Sequence, residues 1–143
     1  LVRFQLEAWG YLVHQANRTG TKRGGFWVSQ SNDIFGVFDL IGLRRSIRTL
    51  FIQVTTASCL SARKSKILNA IIGYVSDHIA VEIWTPYSFM DKRLICVNAK
   101  VYRLSPVERP WPRKPLVTPF DWVQDVNDHV FDRSLIEKAM GKT

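Results

Sequence analysis

The sequence is poor in cysteine, with only Cys59 and Cys96 in 143 residues. Two thiols cannot build a disulfide scaffold or a cysteine-rich zinc site. Both sit in apolar, strand-like contexts, so buried, reduced thiols are expected. Histidine is scarce too, and His14, His78 and His129 lack metal-ligand spacing, which argues against zinc. No apolar run reaches the roughly 18 to 20 residues that span a bilayer, so no membrane partner is expected. No basic-then-apolar leader opens the chain, which fits an intracellular, cytoplasmic place. A Walker-type glycine loop, a Gly-Xaa-Ser-Xaa-Gly elbow and a dinucleotide fingerprint are all missing, which removes the commonest nucleotide and esterase chemistries.

Acids are also in short supply, 12 against 20 Lys and Arg, for a net charge of +8. The imbalance is local. Residues 1–114 hold 17 of the 20 bases and 7 of the 12 acids, while 115–143 carry a small net negative charge. A basic body suits a polyanion, because each cation near a phosphate releases condensed counterions. The 46% hydrophobic content supplies a core for one ordinary domain.

Apolar spacing predicts a helix from Phe4 to about Asn17 and a polar loop from Thr19 to Gly25. Strands are expected at Phe26–Gln30, Phe35–Leu43 and Thr49–Thr56. A helix from Ser61 to Val75 follows, then strands at His78–Thr85 and Arg93–Arg103 with a loop or hairpin at Pro86–Lys92. Five of the six prolines crowd 106–119, which reads as an extended strap, before a short helix at Ser134–Met140. The organisation is a core over 1–104 and a strap-plus-helix tail over 105–143. The class is α/β, a mixed central β-sheet flanked by helices in the order α-β-β-β-α-β-β.

The chemistry-bearing stretch is Gly36-Val37-Phe38-Asp39-Leu40-Ile41, followed by Leu50-Phe51-Ile52-Gln53-Val54-Thr55. A charge inside an apolar strand is costly unless it is paired, hydrogen-bonded or metal-bound. Neighbouring strands could bring Asp39 and Gln53 together at one end of the sheet. With Glu7 from the first helix and the backbone carbonyl of Val54, they form an oxygen set suited to Mg²⁺ or Mn²⁺.

In these elements the chain resembles the PD-(D/E)XK nuclease superfamily, which includes restriction enzymes and archaeal Holliday-junction resolvases. The likeness covers roughly residues 4–103. Glu7 matches the family's helix glutamate, Asp39 in Gly-Xaa-Xaa-Asp its catalytic aspartate, and Gln53-Val54-Thr55 its Glu-Xaa-Lys. The resemblance implies a restriction-endonuclease-like fold, metal-dependent hydrolysis of DNA phosphodiesters, duplex or branched DNA as partner, and a homodimer for cutting two strands. The departures are specific. Gln53 removes a negative charge but keeps a ligating oxygen, whereas Thr55 stands where the family has a cation. Lys64 and Lys66, with Arg63, open the next helix and are the candidates to replace it. Further phosphate contacts are expected from Lys22, Arg23, Arg44, Arg45 and Arg48.

Plainer readings stand beside these. Asp39 could cap a turn or pair with Arg44 or Arg45, Gln53 could lie on a solvated strand face, and Glu7, Lys64 and Lys66 could simply be exposed. Asp33 reads as a turn residue, and Glu82 either as a group supporting the site from behind its ligands or as a partner for an arginine at the edge of the core. Two rival functions follow: the same fold with a decayed site that only binds DNA, or a module gripping a protein through the Pro-rich strap and Trp111.

Overall fold

The computed structural model describes residues 1–16, 18–23, 26–31, 33–71, 73–106 and 120–141, with residues 18–31 described in backbone only. The side chains of Lys22 and Arg23, and the Pro-rich segment 107–119 with Trp111, lie outside that description. The described elements are three α-helices and nine strands. Seven strands form one mixed sheet, and two form a separate hairpin.

Helix α1 (Val2–Ala8) is half the length expected, and the reason is Gly10. Gly10 takes φ +90, its N–H bonds the Glu7 carbonyl at 3.0 Å, and the Tyr11 N–H bonds the Leu6 carbonyl at 3.0 Å. That is a Schellman termination, which a side chain with Cβ adopts only under strain. The chain then reverses into strand β1 (Leu12–Gln15). The expected loop at Thr19–Gly25 is instead strand β2 (Arg18–Arg23), paired antiparallel with β3 (Phe26–Ser31). Its register leaves only Gly24 and Gly25 between Arg23 and Phe26, a dipeptide that favours two-residue hairpins.

The strand expected over Phe35–Leu43 is shortened to β4 (Leu40–Leu43). Before it, Phe35 (φ 52) and Gly36 (φ +73) close a tight turn in which Ile34 bridges Phe38. Strand β5 (Thr49–Val54) pairs antiparallel with β4. Helix α2 (Leu60–Ile71) then crosses over, and β6 (Ile79–Asp91) lies parallel to β5. Strand β6 continues through the expected break at Pro86–Lys92. Trp84 turns its carbonyl toward the β5 side, where it accepts from Thr55. Two residues later no strand among the described residues pairs on that side, so Pro86 has no ladder donor to lose there.

Strand β7 (Leu94–Pro106) returns antiparallel along β6. The tail is built into the same sheet: β8 (Phe120–Gln124) and β9 (His129–Val130) both pair with β7, ahead of α3 (Arg133–Ala139). The strand order is β1-β4-β5-β6-β7-β8, with β9 beside β7.

Alternation along β5 and β6 divides the core. Leu50, Ile52 and Trp84 pack with Leu6 of α1 and Ile136 of α3. Phe51, Val81 and Ile83 pack on the other face with Ile67 and Ile71 of α2. Ile52, Ile67 and Ile83 are fully buried, each worth about 1.5–3 kcal/mol of transfer free energy. His129 ties the first face together: its Nε2 lies 2.9 Å from the Gln5 amide oxygen, and its ring stacks edge-on against Phe131 at 4.7 Å. Cys59 is exposed, contrary to the buried thiol expected, because the 3-10 turn Ala57–Cys59 lies outside the sheet.

Candidate functional site

Asp39 precedes β4, and its backbone is held on both sides. Its N–H donates to the Ile52 carbonyl at 2.9 Å, and its carbonyl accepts from Ala16 at 2.8 Å. The carboxylate therefore emerges at the end of the sheet where β5 finishes. There Oδ2 accepts the Val54 N–H at 2.8 Å and the Gln53 side-chain amide at 3.0 Å. The same amide nitrogen donates to the Val54 carbonyl at 3.0 Å. Asp39, Gln53 and the Val54 carbonyl thus meet around one atom.

Gln53 is buried to 4% exposure and lies on the α2 face of β5, not on a solvated one. Its Oε1 is buried without a hydrogen-bond partner among the described residues. An orphaned buried acceptor costs about 1–3 kcal/mol. With the nitrogen between two oxygen acceptors the amide is satisfied on one side only. Turning it would set three oxygens against one another, which a cation between them would relieve.

The charges around Asp39 have opposing effects. Its pKa is raised above the ordinary carboxylate value, chiefly by burial. The Val54 N–H pulls it down, the Asp33 carboxyl raises it through charge and a hydrogen bond, and the Arg63 guanidinium lowers it. Asp33, taken from the sequence as a turn residue, is therefore part of the site. The turn at Phe35 and Gly36 folds the chain back on itself and returns Asp33 beside Asp39, which residue type alone does not show. Asp33, Asp39, Val54, Arg3, Gln15 and Pro86 line one cavity of about 440 Å³.

Other expected members stand elsewhere. Glu7 is on the exposed side of α1 and pairs with Arg3 at 2.9 Å, so its link to the cavity runs through Arg3. Lys64 lies over the Tyr102 ring at 4.5 Å, and Lys66 is exposed on α2. Arg44, Arg45 and Arg48 occupy the β4–β5 turn, at the opposite end of a six-residue strand from Gln53 and Val54. At about 3.3 Å per residue that is well over 10 Å away, so these arginines and the Asp39 site cannot share one phosphate. Arg44 instead lies over the Tyr11 ring at 5.8 Å. Glu82, buried on the α1 face, accepts the Trp84 indole N–H at 2.9 Å and is salt-bridged to Arg103.

Among the described residues no three His, Cys, Asp or Glu side chains gather around one point. The candidate site is accordingly two carboxylates completed by an amide and a backbone carbonyl. Among the described residues no helix is long and apolar enough to cross a membrane. No family model, curated protein or solved structure matches the chain.

Proposed function

We propose that the chain is a divalent-metal-dependent nuclease of the PD-(D/E)XK kind, cleaving DNA phosphodiesters at the Asp39 site. The observation that carries the reading is the meeting of the Asp39 carboxylate and the Val54 carbonyl around the Gln53 amide nitrogen, each at 3.0 Å. The element order supports it. With the β2–β3 hairpin set aside as an insertion, the chain runs helix, three antiparallel strands, crossover helix, parallel strand and antiparallel strand before β8, β9 and α3. That order is compatible with the restriction-endonuclease-like fold the resemblance implies.

Oxygen donors of this kind fit Mg²⁺ or Mn²⁺, and with the amide turned the Gln53 Oε1, which has no hydrogen-bond partner among the described residues, is the atom such an ion would satisfy. Asp39, the Val54 carbonyl and the Gln53 amide oxygen would hold it, with Asp33 beside them. Bound there, the ion would supply Lewis-acid stabilisation of the phosphate and activate water. The protein's own part is distinct. The Val54 N–H fixes one Asp39 oxygen, and Arg63 at the start of α2 offsets charge that builds on the phosphate, in place of the cation absent at Thr55. Cytoplasmic location and a homodimer accord with this reading.

The binding-only alternative rests on the same hydrogen bonds, since a Gln53 amide that donates to Asp39 gives the carboxylate a partner without an ion. Plasmid and branched-DNA cleavage with Mg²⁺, Mn²⁺ or EDTA, beside an Asp39→Ala control, separates the two. Metal-dependent cutting lost in the control supports the nuclease. A wild type that binds DNA but cuts nothing with either metal supports the decayed site.

A further inference from the structure

Strands β6 and β7 pair without a bulge from Glu82↔Arg103 to Asp91↔Leu94, but β5 leaves β6 at Val54↔Trp84. On the other edge β9 reaches only Asn98 and Ala99 of β7. Beyond these points the ribbon from Tyr87 to Ile95 projects as an arm with no further strand paired to it among the described residues. A bare two-stranded ribbon is marginal in water, and this one spends exposed surface on apolar side chains. Tyr87 is 39% exposed, Phe89 42% and Met90 64%.

The arm has an ordered ring face. Tyr87 and Phe89 alternate onto one side, with ring centroids 6.2 Å apart and planes 33° from parallel. The Tyr87 hydroxyl is anchored 2.5 Å from Asp128, which also pairs with Lys100 at 3.6 Å. The parity of β6 puts these rings on the same face as Ile83, whose register partner is Gln53. Pro86, at the root of the arm and on the opposite face from the rings, lines the Asp39 cavity. Tyr87 lies four residues beyond Ile83 and Phe89 six, so the rings start roughly 13 Å from the site and run outward along one line.

The tip is unusual in a way that points to its partner. Lys92 (φ 48) and Arg93 (φ 66) both occupy the left-handed region in the two-residue turn. Such turns favour Asn-Gly or Gly-Gly, and long side chains with Cβ sit there under strain. Two cations are held at the outermost point of the arm against that preference.

We propose that this arm receives an unpaired nucleic-acid strand, with Tyr87 and Phe89 stacking on its bases and Lys92 and Arg93 engaging its phosphates. The inference deepens the nuclease reading and rests on it for the scissile phosphate: the substrate form is DNA with a single-stranded segment running outward from the cut. Exposed ring faces select unpaired bases, because bases within a duplex are already stacked, and the tip charges select a polyanion.

The test is binding of a labelled single-stranded oligonucleotide and of its duplex in EDTA, so that no readout depends on cleavage. Phe89→Ala should weaken the single strand by about 5- to 100-fold and the duplex little. Lys92→Asn with Arg93→Gly replaces the tip by the residues its turn prefers, so the fold should hold or gain stability. Affinity should nevertheless fall, and the single-strand salt slope should drop by about 1.4 for two lost phosphate contacts. Wild-type affinity in both variants overturns the proposal. So does a wild-type dimer that Phe89→Ala dissociates with strand affinity unchanged, which would make the arm a contact between copies. If arm variants bind normally while Mn²⁺-dependent cutting persists, the inference fails and the nuclease stands. If the arm binds single strands but no metal is taken up at Asp39, the inference stands and the nuclease reading fails.

Discussion

Asp39 and Gln53 are 14 residues apart in sequence, yet the Gln53 amide nitrogen sits 3.0 Å from the Asp39 carboxylate, leaving its own oxygen buried and without a partner among the described residues. Two strands and an arginine-rich turn intervene only to bring them back to the same end of the sheet. The pair explains both the cost of a carboxylate in an apolar strand and its relief. The buried charge is hydrogen-bonded twice, but not neutralised.

Asp39→Asn should leave the fold as stable as the wild type, or more so, at neutral pH. The carboxylate pKa is raised, so the folded chain holds that proton more tightly than the unfolded chain does. The site's contribution to stability is therefore fully present below the ordinary carboxylate range and is lost as pH rises through the raised value. Asparagine stays neutral throughout and still accepts from Val54. Thermal melts at neutral and acidic pH should show the variant's advantage shrinking as pH falls. A loss of about 2 kcal/mol or more at neutral pH would show the carboxylate is needed for the fold itself.

Gln53→Glu should separate the metal from the fold. Without metal, a third carboxylate beside Asp39 and Asp33 removes the donated hydrogen bond and should cost about 1–3 kcal/mol. With Mn²⁺ the added charge becomes a ligand, so the metal-induced rise in Tm should exceed that of the wild type. Equal shifts in the two proteins would exclude Gln53 as a ligand.

The three cations of α2 should divide by role. Arg63 is the one whose charge acts on Asp39, so Arg63→Ala should lower turnover by about a hundred- to a thousand-fold at saturating DNA. Lys64 is spent on Tyr102, and its loss should cost at most about 1 kcal/mol of stability with turnover intact. Exposed Lys66 should reduce only the salt slope of binding, by roughly one unit. Lost turnover in Lys64→Ala alone would reassign the replacement cation.

Arg103→Met should destabilise the protein by about 1–3 kcal/mol at neutral pH, since it strips the guanidinium from buried Glu82 while the half-exposed arginine site admits water. Burial raises the Glu82 pKa even with Arg103 present. Without the arginine the ionised form is worse still, so the deficit should shrink as pH falls through that raised value and the carboxyl becomes neutral. Urea unfolding at neutral and mildly acidic pH checks this. A deficit independent of pH would mean Arg103 acts through packing or its pairing with Asp125 rather than through Glu82.

Runs of β-branched and aromatic residues made β5 and the inner half of β6 legible in the sequence, and the apolar stripe of Ile67 and Ile71 did the same for α2. One misreading originates in glycine: Gly10 stops α1 by a Schellman bond that apolar spacing through Leu12 and Val13 conceals. Another lies in the polar composition of Arg18–Arg23, which hides a strand paired antiparallel with β3. Asp39 and Gln53 were found because charge and amide stood out against apolar neighbours. Asp33 was missed because its partnership depends on the left-handed backbone at Phe35 and Gly36, which residue type alone does not reveal. Glu7 matched by position, but the shortened α1 turns it outward to Arg3.

The central claim is a divalent ion held by Asp39, and the most direct measurement is calorimetric titration of the whole chain with Mn²⁺ at neutral pH, repeated on Asp39→Ala. One site in the wild type is expected, absent in the variant, with affinity falling at lower pH as the proton on Asp39 competes. No uptake at millimolar Mn²⁺ by a folded wild type, or equal uptake by the variant, would contradict the account.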